Sequence, residues 1–511
     1  MLVTDLFRRA AQAWPDRCFL HTGGNRYTYA QLWNQSVAVA SWLAERGVGR
    51  GDRVLLYGRH GAEYVAALVG TLLQGAVAVP LCHRVSRARL NRLLRDAAPR
   101  AIAADASLLP RLHDHVRPGQ TAVLQLRGPN PQPDRCNIEG LSGGLPDDSA
   151  PVDPGDPAVL VYARRNDGPH AVAFSHKNLI AALVALLAEF AVHRSDRTRL
   201  TLPLHWPGGL AGLFVHAAAG AELVLEDDDD APTNGDSSPE PVNALWTSAS
   251  GLAAELDTTP IDGTLDYIAC WGLLPADLHR RATEALGRTE LFAVYHHPEA
   301  AGPIAFQCDE ASPLHGIPCR IARGLRLSLD ATDPCPPEDE DGARISVSGP
   351  TVAEWLWKDG RYHRRSGRTT IRDCTTLGDD GTLYILDTVF AADDSGSTAA
   401  DRAKLLEHAI SIIPAVEAAA VIVVDTEAAE QLWAFVQPAD GARVRPADIQ
   451  QHPVLKEHGV GVDNVVIVGE LPRRDGAIDR RRLLEKFARG AGGIKTAAES
   501  PPPPSHAEND D

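Results

Sequence analysis

Gly51-Asp52-Arg53-Val54-Leu55-Leu56-Tyr57 places a short apolar run after a turn-forming pair, and Gly75-Ala76-Val77-Ala78-Val79-Pro80-Leu81 repeats that arrangement further on. Between them, Glu63–Leu73 carries its apolar residues at helical spacing. Val54–Tyr57 and Ala76–Leu81 therefore read as buried strands, joined by a helix. Strand, helix and strand in immediate succession predict an α/β fold with largely parallel sheets.

Working outward, Ala30–Arg46 reads as an amphipathic helix and Met1–Arg17 as another, with Arg8, Arg9 and Arg17 on it. Asp5 and Asp16 favour a docked surface helix there, with a transit peptide as the alternative. Toward the C-terminus, Ile345–Val347, Leu383–Leu386 and Ala419–Val424 read as strands and Ala403–Ile412 as a helix. The expected organisation is a large domain over residues 1–386, a second domain over 387–490, and a disordered tail over 491–511. That tail contains four consecutive Pro and an acidic end.

The chain has 511 residues, 44% hydrophobic and 23% charged, so a large core is affordable and disorder is excluded as the main state. Its 50 Lys+Arg against 67 Asp+Glu give a net charge of −17, the wrong sign for a general nucleic-acid binder. The eight Cys occur singly, with no Cys-x-x-Cys pair. A zinc site or disulfide framework is not expected, and a reducing cytoplasm fits. Tyr64–Cys82 is the longest apolar stretch, but Gly70, Gln74, Gly75 and Pro80 break it, so no membrane span is expected. Asp227–Asp230 reads as a solvated acidic loop. Gly208-Gly209-Leu210-Ala211-Gly212 lacks the spacing of a phosphate loop and reads as a close-packed turn before a helix. His296-His297 lacks the further ligands of a metal site.

Seven segments, in order, resemble the adenylate-forming (AMP-binding, acyl-CoA synthetase) superfamily. They are Tyr27-Thr28-Tyr29-Ala30-Gln31-Leu32; Gly51-Asp52-Arg53-Val54; Gly75–Leu81; Pro203-Leu204-His205-Trp206-Pro207-Gly208-Gly209-Leu210; Gly349-Pro350-Thr351-Val352; Asp379-Asp380-Gly381-Thr382-Leu383-Tyr384-Ile385; and Leu471-Pro472-Arg473 with Gly476 and Ile478-Asp479-Arg480-Arg481. Tyr295-His296-His297-Pro298-Glu299 also keeps the ends of a family nucleotide motif. The resemblance implies a large N-terminal domain of packed α/β sheets with a β-barrel-like subdomain, and a small mobile α+β C-terminal domain. It also implies formation of an acyl-AMP from a carboxylate and ATP, followed by acyl transfer to coenzyme A.

On this resemblance the nucleotide contacts fall on Asp373 (ribose), Trp271-Gly272 (adenine side), Tyr295 and Glu299, the last being the family's Mg²⁺-holding carboxylate. The acyl pocket and its gate fall on His205, Trp206, Gly208, Gly209, His296 and His297. Ser395 and Gly396, within Asp394–Ser397, fall on the coenzyme A tunnel, and Asp387-Thr388 on the hinge. Two departures stand out. The triphosphate loop, rich in Gly and hydroxyls in the family, reads Tyr162-Ala163-Arg164-Arg165-Asn166-Asp167-Gly168-Pro169-His170, with His170 where the family has Lys. Ala477 stands where the family has its C-terminal catalytic Lys, and the only lysines are at 177, 358, 404, 456, 486 and 495. A missing ammonium removes charge from the place where it develops in adenylation.

This pattern resembles the non-adenylating acyl-CoA ligases, such as that of platensimycin/platencin diterpenoid biosynthesis. It implies thioesterification only: a preformed acyl-AMP, of a bulky terpenoid acid, passes its acyl group to coenzyme A and AMP is released. Mg²⁺ is then not required, and a separate adenylating ligase supplies the acyl-AMP. Two alternatives stay open: a nucleotide-binding pseudoenzyme, and a complete ligase using Arg164, Arg165 and His170.

Overall fold

The computed structural model describes residues 1–85, 87–117, 120–128, 136–144, 151–163, 170–225, 241–258, 265–274, 276–308, 317–334, 343–378, 381–387, 403, 406–407, 409–410, 413–425, 430–439, 441–452, 455, 461–474, 477–478 and 482–483. The opening strand–helix–strand reading is realised as Arg53–Tyr57, Ala62–Leu73 and Val77–Pro80, with the two strands parallel and Leu55 opposite Val79. Gly75, at φ +72°, ends the helix in the left-handed conformation that favours glycine. The helix Tyr29–Glu45 starts at Thr28, whose hydroxyl accepts from the Gln31 amide while Gln31 reaches back to the Thr28 amide. The N-terminal stretch folds as the helix Val3–Ala13, with Phe7 and Ala10 buried.

Two sheets flank these helices. In a nine-stranded sheet, Arg53–Tyr57 lies between Val77–Pro80 and Ala101–Ala104, all parallel. The chain leaves Arg53–Tyr57 toward one side and returns past it to the other, a reversal of strand order of the kind that opens a crevice at the carboxyl ends. A thirteen-stranded sheet has a parallel half made of Cys18–Thr22, Glu222–Leu225, Arg197–Leu200, Ala244–Ser248, Tyr267–Trp271 and Glu290–Tyr295. Its other half is antiparallel, Ala305–Gln307, Ile317–Ile321, Leu383–Asp387, Arg368–Leu377, Ala343–Ser348 and Arg326–Pro334, and the thirteenth strand, Asn25–Thr28, pairs antiparallel with Cys18–Thr22 at the opposite edge. The expected barrel-like subdomain corresponds to this extension, and no strand pair among the described residues closes it.

One core joins both sheets. It runs from Leu56 and Ala78 through Phe7, Val39, Val65, Leu210 and Phe214 to Leu200, Leu223 and Trp246. The helices between the sheets approach closely: a Cβ at Gly70 would lie 2.6 Å from the Ser36 carbonyl oxygen. By contacts the chain forms two compact units, a large one of 1–84, 92–165 and 169–396, and a small one of 85–91, 166–168 and 397–511. Within the small unit, Val416–Asp425, Glu430–Pro438 and Asn464–Ile467 form a sheet, with Ala420, Ile422, Phe435, Leu471 and Leu483 as its core.

The parallel half of the larger sheet contains a buried charge network. Arg197 donates to Glu222 at 3.0 Å and lies 2.9 Å from His21 Nδ1, while Arg26 donates to the other Glu222 oxygen at 2.9 Å. Only 7% of the Arg197 side chain is exposed, so its charge depends on this carboxylate. Glu222→Ala should therefore destabilise the large unit by about 3–5 kcal/mol, read as a lower urea midpoint at unchanged slope; an unchanged midpoint would show that the pair is not needed.

Candidate functional site

Four neighbouring parallel strands, Arg197–Leu200, Ala244–Ser248, Tyr267–Trp271 and Glu290–Tyr295, deliver their carboxyl ends to one side of the large unit. That is where open α/β sheets place ligands. After Leu200 the chain runs through His205 and Trp206 into the helix Pro207–Ala219. Trp206 is extended, as a residue before proline prefers, and Pro207 occupies the first helical position. The glycines expected to form a turn before a helix instead make its first turns. Their lack of side chains is structural: a Cβ at Gly209 would lie 2.1 Å from the Pro203 carbonyl oxygen, and one at Gly208 would lie 2.4 Å from the Trp206 ring and 3.0 Å from that of Trp271.

The helix thus brings together an aromatic wall. Trp206 stands edge-on to His296 at 4.5 Å and lies 5.7 Å from Trp271, while Trp271 lies 5.8 Å from His296 and 6.3 Å from Trp246. Trp206, Trp246 and Trp271 are all buried. The indole N–H groups of Trp206 and Trp271 are buried donors without a hydrogen-bond partner among the described residues. The Trp206 atoms nearest Gly208 are Cζ3 and Cε3, so the opposite ring edge, which carries Nε1, faces away from the helix backbone. Gly272 follows Trp271 at φ +130°, a backbone conformation open to glycine. His205 points elsewhere, with its ring 5.6 Å from that of His60.

Beyond Tyr295 the chain turns through His297, which accepts from the Glu299 amide at 3.3 Å. Glu299 is buried, and one of its carboxylate oxygens, Oε2, accepts from both Arg365 and Thr369, at 2.5 and 2.6 Å. The Ala353 amide donates to the Glu299 carbonyl at 2.9 Å. The segment carrying Ala353 is tied down by Asn178, whose amide donates to Pro350 and Val352 at 2.8 and 3.0 Å. Sequence reasoning named Glu299 but not Arg365 and Thr369, since nothing in Arg364-Arg365-Ser366-Gly367 marks a partner 66 residues away. It also missed Trp246, which is simply the middle of a buried strand.

Other expected residues are less fully placed. His170 opens the strand His170–Ser175, Asp373 lies within Arg368–Leu377, and Ala477 pairs with Arg474 in a two-stranded ladder. Only their backbones belong to the description. Asp387 ends the strand Leu383–Asp387, opposite Cys374. Residues 164–169, Thr388, Ser395, Gly396, Gly476, Asp227–Asp230 and the 491–511 tail lie outside the described residues. Among the described residues no group of three or more His, Cys, Asp or Glu is set to hold a metal, and no helix is long and apolar enough to cross a membrane.

With this geometry in place, comparison with known proteins gives the class. The AMP-binding enzyme family matches residues 7–357, and the chain belongs to that family. It is similar to a feruloyl-CoA synthase of Amycolatopsis sp., 28% identical over 460 residues and covering 85% of this chain and 88% of that one. The isonitrile lipopeptide synthase of Streptomyces coeruleorubidus is also 28% identical, over 90% of this chain but only 32% of its own length. The fold matches a benzoate CoA ligase from Burkholderia xenovorans LB400 (TM-score 0.65, 18% identity, 94% of this chain and 99% of that one). It also matches the anthranilate CoA ligase AuaEII in complex with anthranoyl-AMP (TM-score 0.66, 19% identity, 96% and 98%). The protein is thus a member of the AMP-binding enzyme family with the fold of the CoA ligases, a large N-terminal and a small C-terminal domain.

Three buried imidazoles in the large unit are held neutral. Burial pushes His60 down to about 3, and His176 and His216 to about 4, from an ordinary 6.5. His216 shows the matching hydrogen bonds, donating from Nδ1 to the Gly212 carbonyl at 2.7 Å and accepting at Nε2 from Thr198 at 2.9 Å. The unfolded chain takes up these protons first, so the contribution is fully present above 6.5 and is lost as pH falls toward the folded values. Stability should therefore drop between about pH 6.5 and 4, by up to ~1.4 kcal/mol per pH unit for each imidazole. Urea midpoints measured at about pH 7 and pH 5 check this, and a midpoint that rises on acidification contradicts neutral burial.

Proposed function

We propose that this enzyme completes only the second half of the family reaction, passing the acyl group of a preformed acyl-AMP to coenzyme A. The observation that carries the reading is the state of Glu299. One of its carboxylate oxygens already accepts from the Arg365 guanidinium and the Thr369 hydroxyl. A divalent cation there would compete with a fixed cation for the same group. The sequence adds that neither family lysine is present, with His170 and Ala477 in their places. Charge handling for a triphosphate is therefore depleted at three separate points.

Thioesterification tolerates those losses. The coenzyme A thiolate attacks the acyl carbonyl, the carbon–sulfur bond forms, the bond from carbonyl carbon to phosphate oxygen breaks, and AMP leaves. The thiol proton goes to water. AMP is a good leaving group, so the step depends chiefly on holding the two reactants together. Trp206 and His296 would flank the acyl group, Trp271 and Gly272 the adenine side, and Asp373 the ribose. Ser395 and Gly396 would border the thiol's path, Asp387-Thr388 would act as the hinge, and a separate ligase would supply the adenylate. The acyl group is read here as a flat acid in place of the bulky terpenoid skeleton expected from the sequence. The feruloyl, benzoate and anthranilate specificities in the names of similar proteins agree with a flat acid. The same close packing of Trp206 and Trp271 on Gly208 favours a second reading, a nucleotide-binding protein that performs no transfer.

With a panel of aromatic acids, ATP and Mg²⁺, the protein should catalyse no ATP–pyrophosphate exchange above a heat-killed control. A chelator should leave its acyl transfer from synthetic adenylates unchanged. Exchange by contaminant-free protein would restore the complete ligase.

A further inference from the structure

Of the three side chains joined at Glu299, only Arg365 reaches the surface. Its side chain is 27% exposed against 8% for Glu299, and Thr369 is buried. Arg365 Nη1 donates to Glu299 Oε2 at 2.5 Å and Nη2 to the Arg368 carbonyl at 3.5 Å, while its backbone amide donates to the Glu354 carbonyl at 2.7 Å. A guanidinium has five N–H donors in one plane, so these bonds fix that plane and leave donors for a further acceptor. The carboxylate it caps lies three residues beyond His296, and three residues span at most about 11 Å. The guanidinium therefore stands close to the aromatic wall, past the carboxyl end of the strand Glu290–Tyr295.

We infer that Arg365 is a catalytic residue, holding the phosphate of the acyl-AMP and stabilising the charge it gains as AMP leaves. This rests on the acyl-transfer reading, which sets the acyl group against Trp206 and His296. In a mixed anhydride a single oxygen separates the acyl carbon from phosphorus, so an acyl group at His296 brings its phosphate into the neighbourhood of Arg365. When the thiolate expels AMP, the electron pair of the breaking carbon–oxygen bond passes to the phosphate oxygen, and the phosphate goes from one negative charge to two. Glu299, itself held by Thr369, fixes the guanidinium before that charge develops, so nothing has to reorganise at the moment of reaction. Planar guanidinium donors match phosphate oxygens in geometry as well as charge. A single guanidinium already engaged with a carboxylate suits one phosphate and not a triphosphate.

The test uses the full chain, with AMP and adenosine affinities from calorimetry and acyl transfer to coenzyme A from synthetic benzoyl-AMP. AMP should bind about tenfold or more tighter than adenosine. The double variant Glu299→Gln, Arg365→Met removes both charges together and so leaves no carboxylate buried alone. It should abolish the AMP preference, keep adenosine affinity within about twofold, and slow transfer from saturating benzoyl-AMP about 100-fold, with urea unfolding confirming the fold. Arg365→Lys keeps a cation beside the buried carboxylate and serves if the double variant does not fold. It should lose most of the AMP preference, because a compact ammonium cannot reproduce the fork that joins Glu299 to a phosphate. The inference is overturned if the wild type does not prefer AMP, or if the preference or the transfer rate survives in the folded variant. It is also overturned if AMP and adenosine weaken equally, as a purely structural ion pair would give. None of those results touches the acyl-transfer reading, provided the wild type makes benzoyl-CoA. A wild type that binds AMP but makes no acyl-CoA from any synthetic aroyl-AMP overturns that reading and takes this inference with it.

Discussion

The helix Pro207–Ala219 lies so close to the segment before it that its first turns admit no side chain at Gly208 or Gly209. Much of the candidate site follows from that approach. It presses Trp206 against the helix start, sets Trp206 and Trp271 within ring contact, and turns the Trp206 Nε1 edge away from the helix backbone. The approach is possible because the helix is buried on nearly every side between two sheets, within a single core that reaches from Leu56 to Trp246. Packing at this density leaves little room for adjustment, so the residues at the carboxyl ends of the neighbouring strands hold fixed positions.

A second constraint is electrostatic. Burying the Glu299 carboxylate requires partners, and Arg365 and Thr369 supply them. The segment that positions this group is itself pinned by Asn178, from the helix His176–Glu189, to the Pro350 and Val352 carbonyls. The site is therefore assembled from distant parts of the chain through hydrogen bonds as well as hydrophobic contact.

Much of the fold was legible because the relevant signals are local. The apolar runs at Val54–Tyr57 and Ala76–Leu81, and the helical spacing between them, correspond to elements within a residue or two of their expected ends. The helix read over Ala30–Arg46 was similarly plain, and it runs over Tyr29–Glu45. The site was legible only in part. Motif order located Trp206, Trp271, His296 and Glu299, but it carried no sign that Glu299 would be paired with Arg365, because pairing across the sheet leaves no periodic trace. The glycines after Trp206 lack phosphate-loop spacing and were read as a close-packed turn before a helix, and Gly does weaken a helix in isolation. Tertiary packing reverses that preference where a Cβ would strike the Pro203 carbonyl.

The central claim is that the enzyme begins from an activated acyl group. It is tested most directly by following product in two parallel reactions with excess enzyme and coenzyme A, one started with a synthetic aroyl-AMP and the other with the same acid, ATP and Mg²⁺. Mass spectrometry should detect acyl-CoA and stoichiometric AMP in the first reaction and no acyl-CoA in the second. Comparable acyl-CoA in both, or none in the first from protein that binds the adenylate, would contradict the account.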